Sequence, residues 1–164
     1  MPTISLTNND HSEGRLLDTN VCITYMNACA KAEKRRTLTL KQQQVLEKFK
    51  SIKGKATLCM SEATLGELLF GVEKSQNQTK NLKRIEILKN VVSPLPVDQE
   101  VWEFFGKAEL QKFGKPVDDM DILIAATAKK YELVLVSSDA DMDNLDFLQS
   151  ILIKRENWIK AKGM

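Results

Sequence analysis

Four acidic residues have the chemistry and the spacing to act together: Asp18, Glu67, Asp121 and Asp139. Brought within about 4–8 Å of one another, four carboxylates repel strongly in a low dielectric. Such a set therefore takes up protons or a cation, and oxygen donors without histidine or cysteine favour Mg²⁺ or Mn²⁺. A bound divalent ion lowers the pKa of water and orients it for in-line attack on a phosphodiester, which predicts phosphodiester hydrolysis.

Asp18 and Glu67 each have a simpler alternative role. Asp18 follows a short apolar run and precedes a helix, so it could cap that helix, a role compatible with facing a cleft. Glu67 could be an ordinary exposed residue within a helix. However, Gly66 and Gly71 flank it on an otherwise apolar segment, at a cost of about 1 kcal/mol each relative to alanine. The sequence therefore predicts that Glu67 is at least partly enclosed, with room beside it.

Asp121 lies in a predicted helix whose apolar face follows it at i+3, i+4 and i+7. It is therefore expected on the core side, where a carboxylate needs a partner. Asp118 and Asp119 are explained by the positive end of the helix dipole. Asp139 and Asp141 lie in an acidic turn that imitates a calcium-binding loop but lacks its glycine and its final glutamate. Which of these two is the fourth acid stays open.

The composition excludes several classes of protein. The chain has 164 residues, a net charge of +2 and a single histidine, His11. The length predicts one domain. The low net charge argues against a strongly basic nucleic-acid binder, and the single histidine argues against a zinc site or a Ser-His-Asp centre. Three scattered cysteines indicate reduced thiols and a cytoplasmic location. Without a run of about 18 apolar residues or a signal-like N-terminus, neither a membrane span nor secretion is expected.

The order of apolar and helical segments indicates the fold class. Short apolar runs at 15–18, 55–60, 91–96, 133–137 and 152–153 read as strands, and helical patterns lie between most of them. This alternation predicts an α/β fold, a mostly parallel sheet with helices on both faces. Residues 1–14 are polar and aperiodic and are expected to be a flexible tail, and residues 15–164 are expected to be a single domain. Ser61 is the expected N-cap of one helix.

Four segments in order, LLDTNVCI, TLGELLFGVEKS, MDILIAATA and LVLVSSDADM, resemble PIN-domain nucleases, and more narrowly the VapC-type toxins of toxin–antitoxin pairs. The resemblance covers roughly residues 15–158. It implies a three-layer α/β/α sandwich and an Mg²⁺- or Mn²⁺-dependent endoribonuclease acting on RNA. It also implies a small antitoxin partner and a homodimer. The longer and more basic stretch at 28–54 departs from the usual pattern.

The resemblance also assigns roles by position. Asp18, Glu67, Asp121 and Asp139 match the catalytic metal-binding acids. Asn20 matches the amide that usually follows the first aspartate, and Ser137 matches a hydroxyl near the fourth acid. Asp118 and Asp141 are expected to support this set.

A basic stretch could steer RNA towards an acidic cleft. Residues 31–55 contain nine lysines or arginines against two glutamates. They form either a solvated helix face or a rim that binds phosphates. Lys80, Lys83, Arg84 and Lys89 could extend such a rim.

Two other functions stay open. One is a housekeeping RNA-processing nuclease of the same fold that has no antitoxin. The other is a non-catalytic RNA-binding or interaction module in which the acids only cap helices. Metal binding would separate the second from a nuclease.

Overall fold

The structure is a computed structural model that describes residues 13–112, 117–138 and 153–159. Its centre is a five-stranded, fully parallel sheet with strand order β3-β2-β1-β4-β5. The predicted α/β class is confirmed. The strands are β1 (Arg15–Leu17), β2 (Leu58–Ser61), β3 (Ser93–Leu95), β4 (Val134–Val136) and β5 (Arg155–Glu156). The helices are α1 (Thr19–Glu33), α2 (Leu40–Ile52), α3 (Glu62–Lys74), α4 (Gln78–Lys89), α5 (Gln99–Gln111) and α6 (Asp119–Tyr131).

The strand order places a crevice beside the first strand. From β1 the chain moves outward through β2 to β3, and it then returns to place β4 on the other side of β1. The direction of winding therefore reverses between β1 and β4. In open parallel sheets, ligands bind outside the carboxyl ends of the strands at such a reversal. Asp18 and Ser137 follow these two strands directly.

Alternating side chains of the buried strands divide the core into two layers. Leu16 and Leu135 face a cluster built largely from α5 and α6. Leu17 and Val136, the next residue along each strand, face a cluster with residues of α1, α2, α3 and α4. Successive side chains of a strand point to opposite faces, so both faces of the sheet are covered. This arrangement confirms the expected three-layer sandwich.

Side-chain caps define where the helices begin. Ser61 accepts a hydrogen bond from Ala63 N at 3.1 Å and caps α3, as expected. Thr39 forms a capping box with Gln42 at the start of α2. Asp18 caps α1, so this helix starts at Thr19.

The final strand differs from the prediction. It comprises Arg155 and Glu156, whereas the apolar pattern predicts 152–153. Glu156 Oε2 accepts from Arg15 Nε at 3.0 Å, and Glu156 Oε1 accepts from Trp158 Nε1 at 2.7 Å. Polar contacts therefore hold this strand, and such contacts leave no hydrophobic pattern. Residue 152 itself lies outside the described residues.

The segment before β1 contacts the domain. Lys154 Nζ lies 2.9 Å from Glu13 Oε1, and Gly14 O accepts from Val134 N at 3.0 Å. The expected flexible tail therefore stays a prediction for residues 1–12, which are outside the described residues. Cys22, Cys29 and Cys59 are free thiols. None of the described helices combines the length and the hydrophobicity that a membrane crossing requires.

Candidate active site

A polar cleft lies at the carboxyl ends of the strands, beside the reversal between β1 and β4. Its volume is about 220 Å³. Three separate parts of the chain contribute to it: the turn from β1 into α1, the middle of α3, and the first turns of α6. The lining residues are Asp18, Thr19, Asn20, Glu67, Asp118, Asp121 and Ile124.

Asp18 both caps a helix and faces this cleft. Its side chain is buried, with 3% of the residue exposed. Oδ1 accepts a hydrogen bond from Val21 N at 2.9 Å, and Oδ2 accepts one from the hydroxyl of Ser137. The two alternative roles of Asp18 therefore coexist. Because one oxygen is held by α1 and the other by the residue after β4, the orientation of the carboxylate is fixed.

Glu67 reaches the cleft from α3 and is held by a hydroxyl. Thr19 Oγ1 donates to Glu67 Oε1 at 2.6 Å and lies 3.2 Å from Thr64 Oγ1. Glu67 is half-buried, in agreement with the expectation from its glycine neighbours. Thr19 and Thr64 were not identified from the sequence. The only signals were the position of Thr19 between two candidate residues and that of Thr64 one turn before Glu67.

A second pair of hydroxyls connects α3 to α6. Ser61 Oγ and Thr127 Oγ1 lie 2.9 Å apart, and both residues are fully buried. Thr127 also donates to Leu123 O of its own helix at 2.8 Å. The hydrogen bond therefore fixes the start of α3 against α6, the two helices that carry Glu67 and Asp121.

Asp118 and Asp121 lie at the start of α6. Asp118 is exposed and caps the helix by accepting from Met120 N at 2.8 Å. Asp121 is half-buried and belongs to the first turn. The positive end of the helix dipole favours negative charge here. Asp121 thus lies at the edge of the core, facing the cleft, rather than within the apolar layer.

The electrostatics of the cleft are negative. Within the part of the chain that the structure describes, every charged side chain lining the cleft is a carboxylate. Next to it, burial raises the pKa of the Cys22 thiol far above its usual range, and the charge of Asp18 raises it further. Cys22 therefore stays a neutral thiol, which makes it a poor metal ligand and a poor nucleophile.

The donor set fits a hard divalent cation by its chemistry, since it consists of carboxylate, amide and hydroxyl oxygens. No group of three Asp, Glu, His or Cys side chains within residues 13–112, 117–138 and 153–159 already has a metal-binding arrangement. Asp139 and Asp141 lie outside the described residues. Of the predicted site residues, Asp18, Asn20, Glu67, Asp118 and Asp121 line one cleft. Ser137 donates a hydrogen bond to Asp18.

Comparison with known proteins identifies the family. Residues 15–148 match the PIN domain. Ribonuclease VapC2 of Haemophilus influenzae is 34% identical over 146 residues, covering 88% of this chain and 97% of that protein. The tRNA(fMet)-specific endonuclease VapC of Shigella flexneri is 34% identical over 126 residues, covering 76% and 85%. The DNA-bound VapBC structure from Salmonella typhimurium has a TM-score of 0.66 at 29% identity, covering 90% and 99%.

The chain therefore belongs to the PIN-domain family, in the branch of the VapC ribonucleases. It is a nuclease, a hydrolase of phosphodiester bonds. The resemblance that the four sequence segments carry is confirmed.

Proposed function

We propose that this chain is an Mg²⁺- or Mn²⁺-dependent endoribonuclease that acts as the toxin of a toxin–antitoxin pair. We further propose that Asp18, Glu67 and Asp121 hold the ion, together with Asp139 or Asp141. One observation carries the proposal: carboxylates from three distant segments line one cleft, together with amide and hydroxyl side chains. Acids that served only as helix caps would have no reason to share a cleft.

The residues of the cleft divide into ligands and positioning groups. When bound, the ion supplies Lewis acidity and activates water. Ser137 and the backbone of Val21 keep both Asp18 oxygens in place, so the carboxylate presents a fixed orientation. Thr19 orients Glu67. Asn20 lines the cleft and is exposed, which supports a role in contacting the RNA backbone.

Metal binding is the direct test of this proposal. In calorimetric titration, Mn²⁺ is expected to bind the wild-type chain. Asp121→Asn should weaken binding at least about tenfold, the effect of removing roughly 1.4 kcal/mol. A chelator should also stop cleavage of RNA by the wild-type protein. If Mn²⁺ fails to bind, the acids are caps only and the non-catalytic alternative stands.

Thr19 provides a finer prediction about the cleft. Thr19→Val keeps the shape of the side chain but removes the only described side-chain donor to Glu67. We expect kcat for RNA cleavage to fall about ten- to hundredfold, since a hydrogen bond to a charged group contributes about 1.5–3 kcal/mol. Thr19→Ser retains the hydroxyl and should restore most of the activity at unchanged KM. Equal loss in both variants would contradict the positioning role.

The proposed antitoxin has a suitable site next to the cleft. A groove of about 230 Å³ lies between α1, α3 and α4, and Glu67 lines both this groove and the cleft. Its wall is largely apolar and includes Ile23, Leu68, Val72 and Ile85. An amphipathic helix fits such a groove, and it would close the cleft at Glu67. Antitoxin complexes among related structures support this partner. A small reading frame adjacent to the gene would separate this function from a housekeeping nuclease.

A homodimer and a cytoplasmic location complete the proposal. Trp102 and Leu110 of α5 are 50% and 80% exposed. Large apolar side chains at the surface favour burial against a second copy. Free cysteines agree with a reducing compartment.

A further inference from the structure

Four basic residues gather where α1 ends beside α4. We name Lys34, Arg36, Lys80 and Arg84 the basic cluster. Lys80 and Arg84 are one helical turn apart and share a face of α4. Lys34 ends α1, and the chain then turns sharply at Arg35, which has a left-handed φ of 56°. This turn returns Arg36 to the end of α1, where its backbone N–H bonds to a helix carbonyl.

The cluster carries positive charge that its own surroundings leave unbalanced. The neighbouring Lys80 is the main reason that the pKa of Lys34 lies below its usual value. The charges of Arg36 and Arg84 lower the pKa of Lys34 further. Lys48, Lys112, Lys130 and Lys154 all form salt bridges, whereas no salt bridge among the described residues involves the cluster.

One groove forms a path between the cluster and the acidic cleft. Arg84 lines this groove between α1, α3 and α4, and Glu67 lines both the groove and the cleft. Arg84 also lines a smaller hollow of about 120 Å³ beside Tyr25, Cys29 and Glu33. Glu33 is the acidic residue in the lining of that hollow, whereas the basic cluster has four positive side chains. The groove thus has a residue of the negative cleft and a residue of the positive cluster in its lining.

We propose that the basic cluster binds backbone phosphates of a single-stranded RNA whose scissile phosphate lies in the cleft. This inference rests on the proposed ribonuclease function and names the surface that recruits its substrate. A polyanion is repelled by the acids of the cleft, so it needs cationic side chains outside it. Four like charges close together become favourable when phosphates lie between them. The binding is independent of base sequence, because phosphates carry no sequence information.

The test compares two pairs of exposed lysines. Affinity for a fluorescent single-stranded oligoribonucleotide is measured by anisotropy at several NaCl concentrations, in an Asp121→Asn background that prevents cleavage. Lys34→Gln combined with Lys80→Gln should flatten the slope of log Kd against log salt by about 1.4, because each phosphate that a lysine no longer neutralises reduces the slope by ~0.7. Kd at low salt should rise roughly fivefold or more.

Lys53→Gln combined with Lys55→Gln is the charge-matched control. Both residues are exposed and precede β2, at the amino ends of the strands and therefore opposite the cleft. This control should retain the wild-type slope within about 0.3, because it removes equal charge away from the path. An equal change in both double variants would mean that only net charge matters, and it would overturn the proposal.

Two further outcomes separate the possible failures. If the wild-type chain cleaves RNA with Mg²⁺ or Mn²⁺ but the cluster variant keeps its affinity and slope, this inference is wrong and the proposed function stands. If the wild-type chain does not cleave RNA, the proposed function fails independently of the binding data. If the cluster variant loses affinity for poly-glutamate but keeps its affinity for RNA, the cluster binds an acidic protein segment, and the proposal is overturned.

Discussion

Asp121→Asn should reduce RNA cleavage by about a thousandfold or more while the protein stays folded. Asparagine has nearly the same shape but removes one negative charge from the proposed metal site. A catalytic metal contributes several kcal/mol, and each 1.4 kcal/mol is about tenfold in rate. The measurement is the initial rate of cleavage of a labelled RNA with Mn²⁺, together with a circular dichroism spectrum. Cleavage at the wild-type rate would refute the assignment of Asp121.

Asp119→Asn is the matched control for this experiment. Asp119 belongs to the same first turn of α6, so both substitutions remove one charge from the same helix end. Its side chain is 64% exposed and lies 3.3 Å from Lys112 Nζ, and it is not part of the cleft lining. We expect its cleavage rate to stay within about twofold of wild type, since exposed ion pairs contribute little.

Without metal, Asp121→Asn should not destabilise the protein. Asp121 contributes about 0.3–1 kcal/mol through the helix dipole, and its repulsion by Asp18 and Glu67 offsets this gain. The melting temperature of Asp121→Asn in chelator is therefore expected to equal or exceed that of the wild type. Added Mn²⁺ should then raise the melting temperature of the wild type more than that of the variant, because a ligand stabilises the state that binds it in proportion to its affinity.

Of the substitutions proposed for this protein, Phe49→Ala should cause the largest fall in the free energy of unfolding. Phe49 is 4% exposed. Its ring stacks on Tyr25 with centroids 3.8 Å apart and meets the edge of Trp158 at 6.3 Å. It thereby joins α2 to α1 and to the segment after β5. Truncating a buried phenylalanine to alanine costs about 3–5 kcal/mol, which corresponds to a fall of about 6–20 °C in the melting temperature.

Phe70→Ala tests whether this loss arises from burial. Phe70 is 62% exposed on α3, and Lys74 Nζ lies 4.5 Å from its ring centroid. We expect a change in unfolding free energy of less than about 1 kcal/mol by urea denaturation. Comparable losses in the two variants would mean that the aromatic contacts of Phe49 are not what stabilises the domain.

Local patterns were enough to predict the architecture and part of the cleft. Short buried strands alternating with amphipathic helices can be recognised from hydrophobicity, and a parallel sheet follows from that order. Asp18 could be identified because it follows β1, and Ser61 because a hydroxyl precedes a helix. Both signals depend only on neighbours in the chain.

Interactions between distant segments left no comparable signal. The hydrogen bond from Thr19 to Glu67 joins residues 48 positions apart, and a threonine after an aspartate is otherwise unremarkable. The last strand was predicted three residues too early, because β5 consists of charged residues and Glu156 pairs with Arg15, 141 positions away. The basic cluster likewise depends on how α1 meets α4, so sequence alone identified an excess of charge but not which residues meet.

The wholly parallel sheet also governs when activity can appear during synthesis. Parallel neighbours need long crossovers, so a short hairpin cannot pair any two of the described strands. Asp18 is synthesised 119 positions before its partner Ser137. The nascent chain therefore cannot assemble the cleft before Ser137 has been made. Until β4 can pair with β1, Asp18 has no Ser137 hydroxyl to fix its second oxygen.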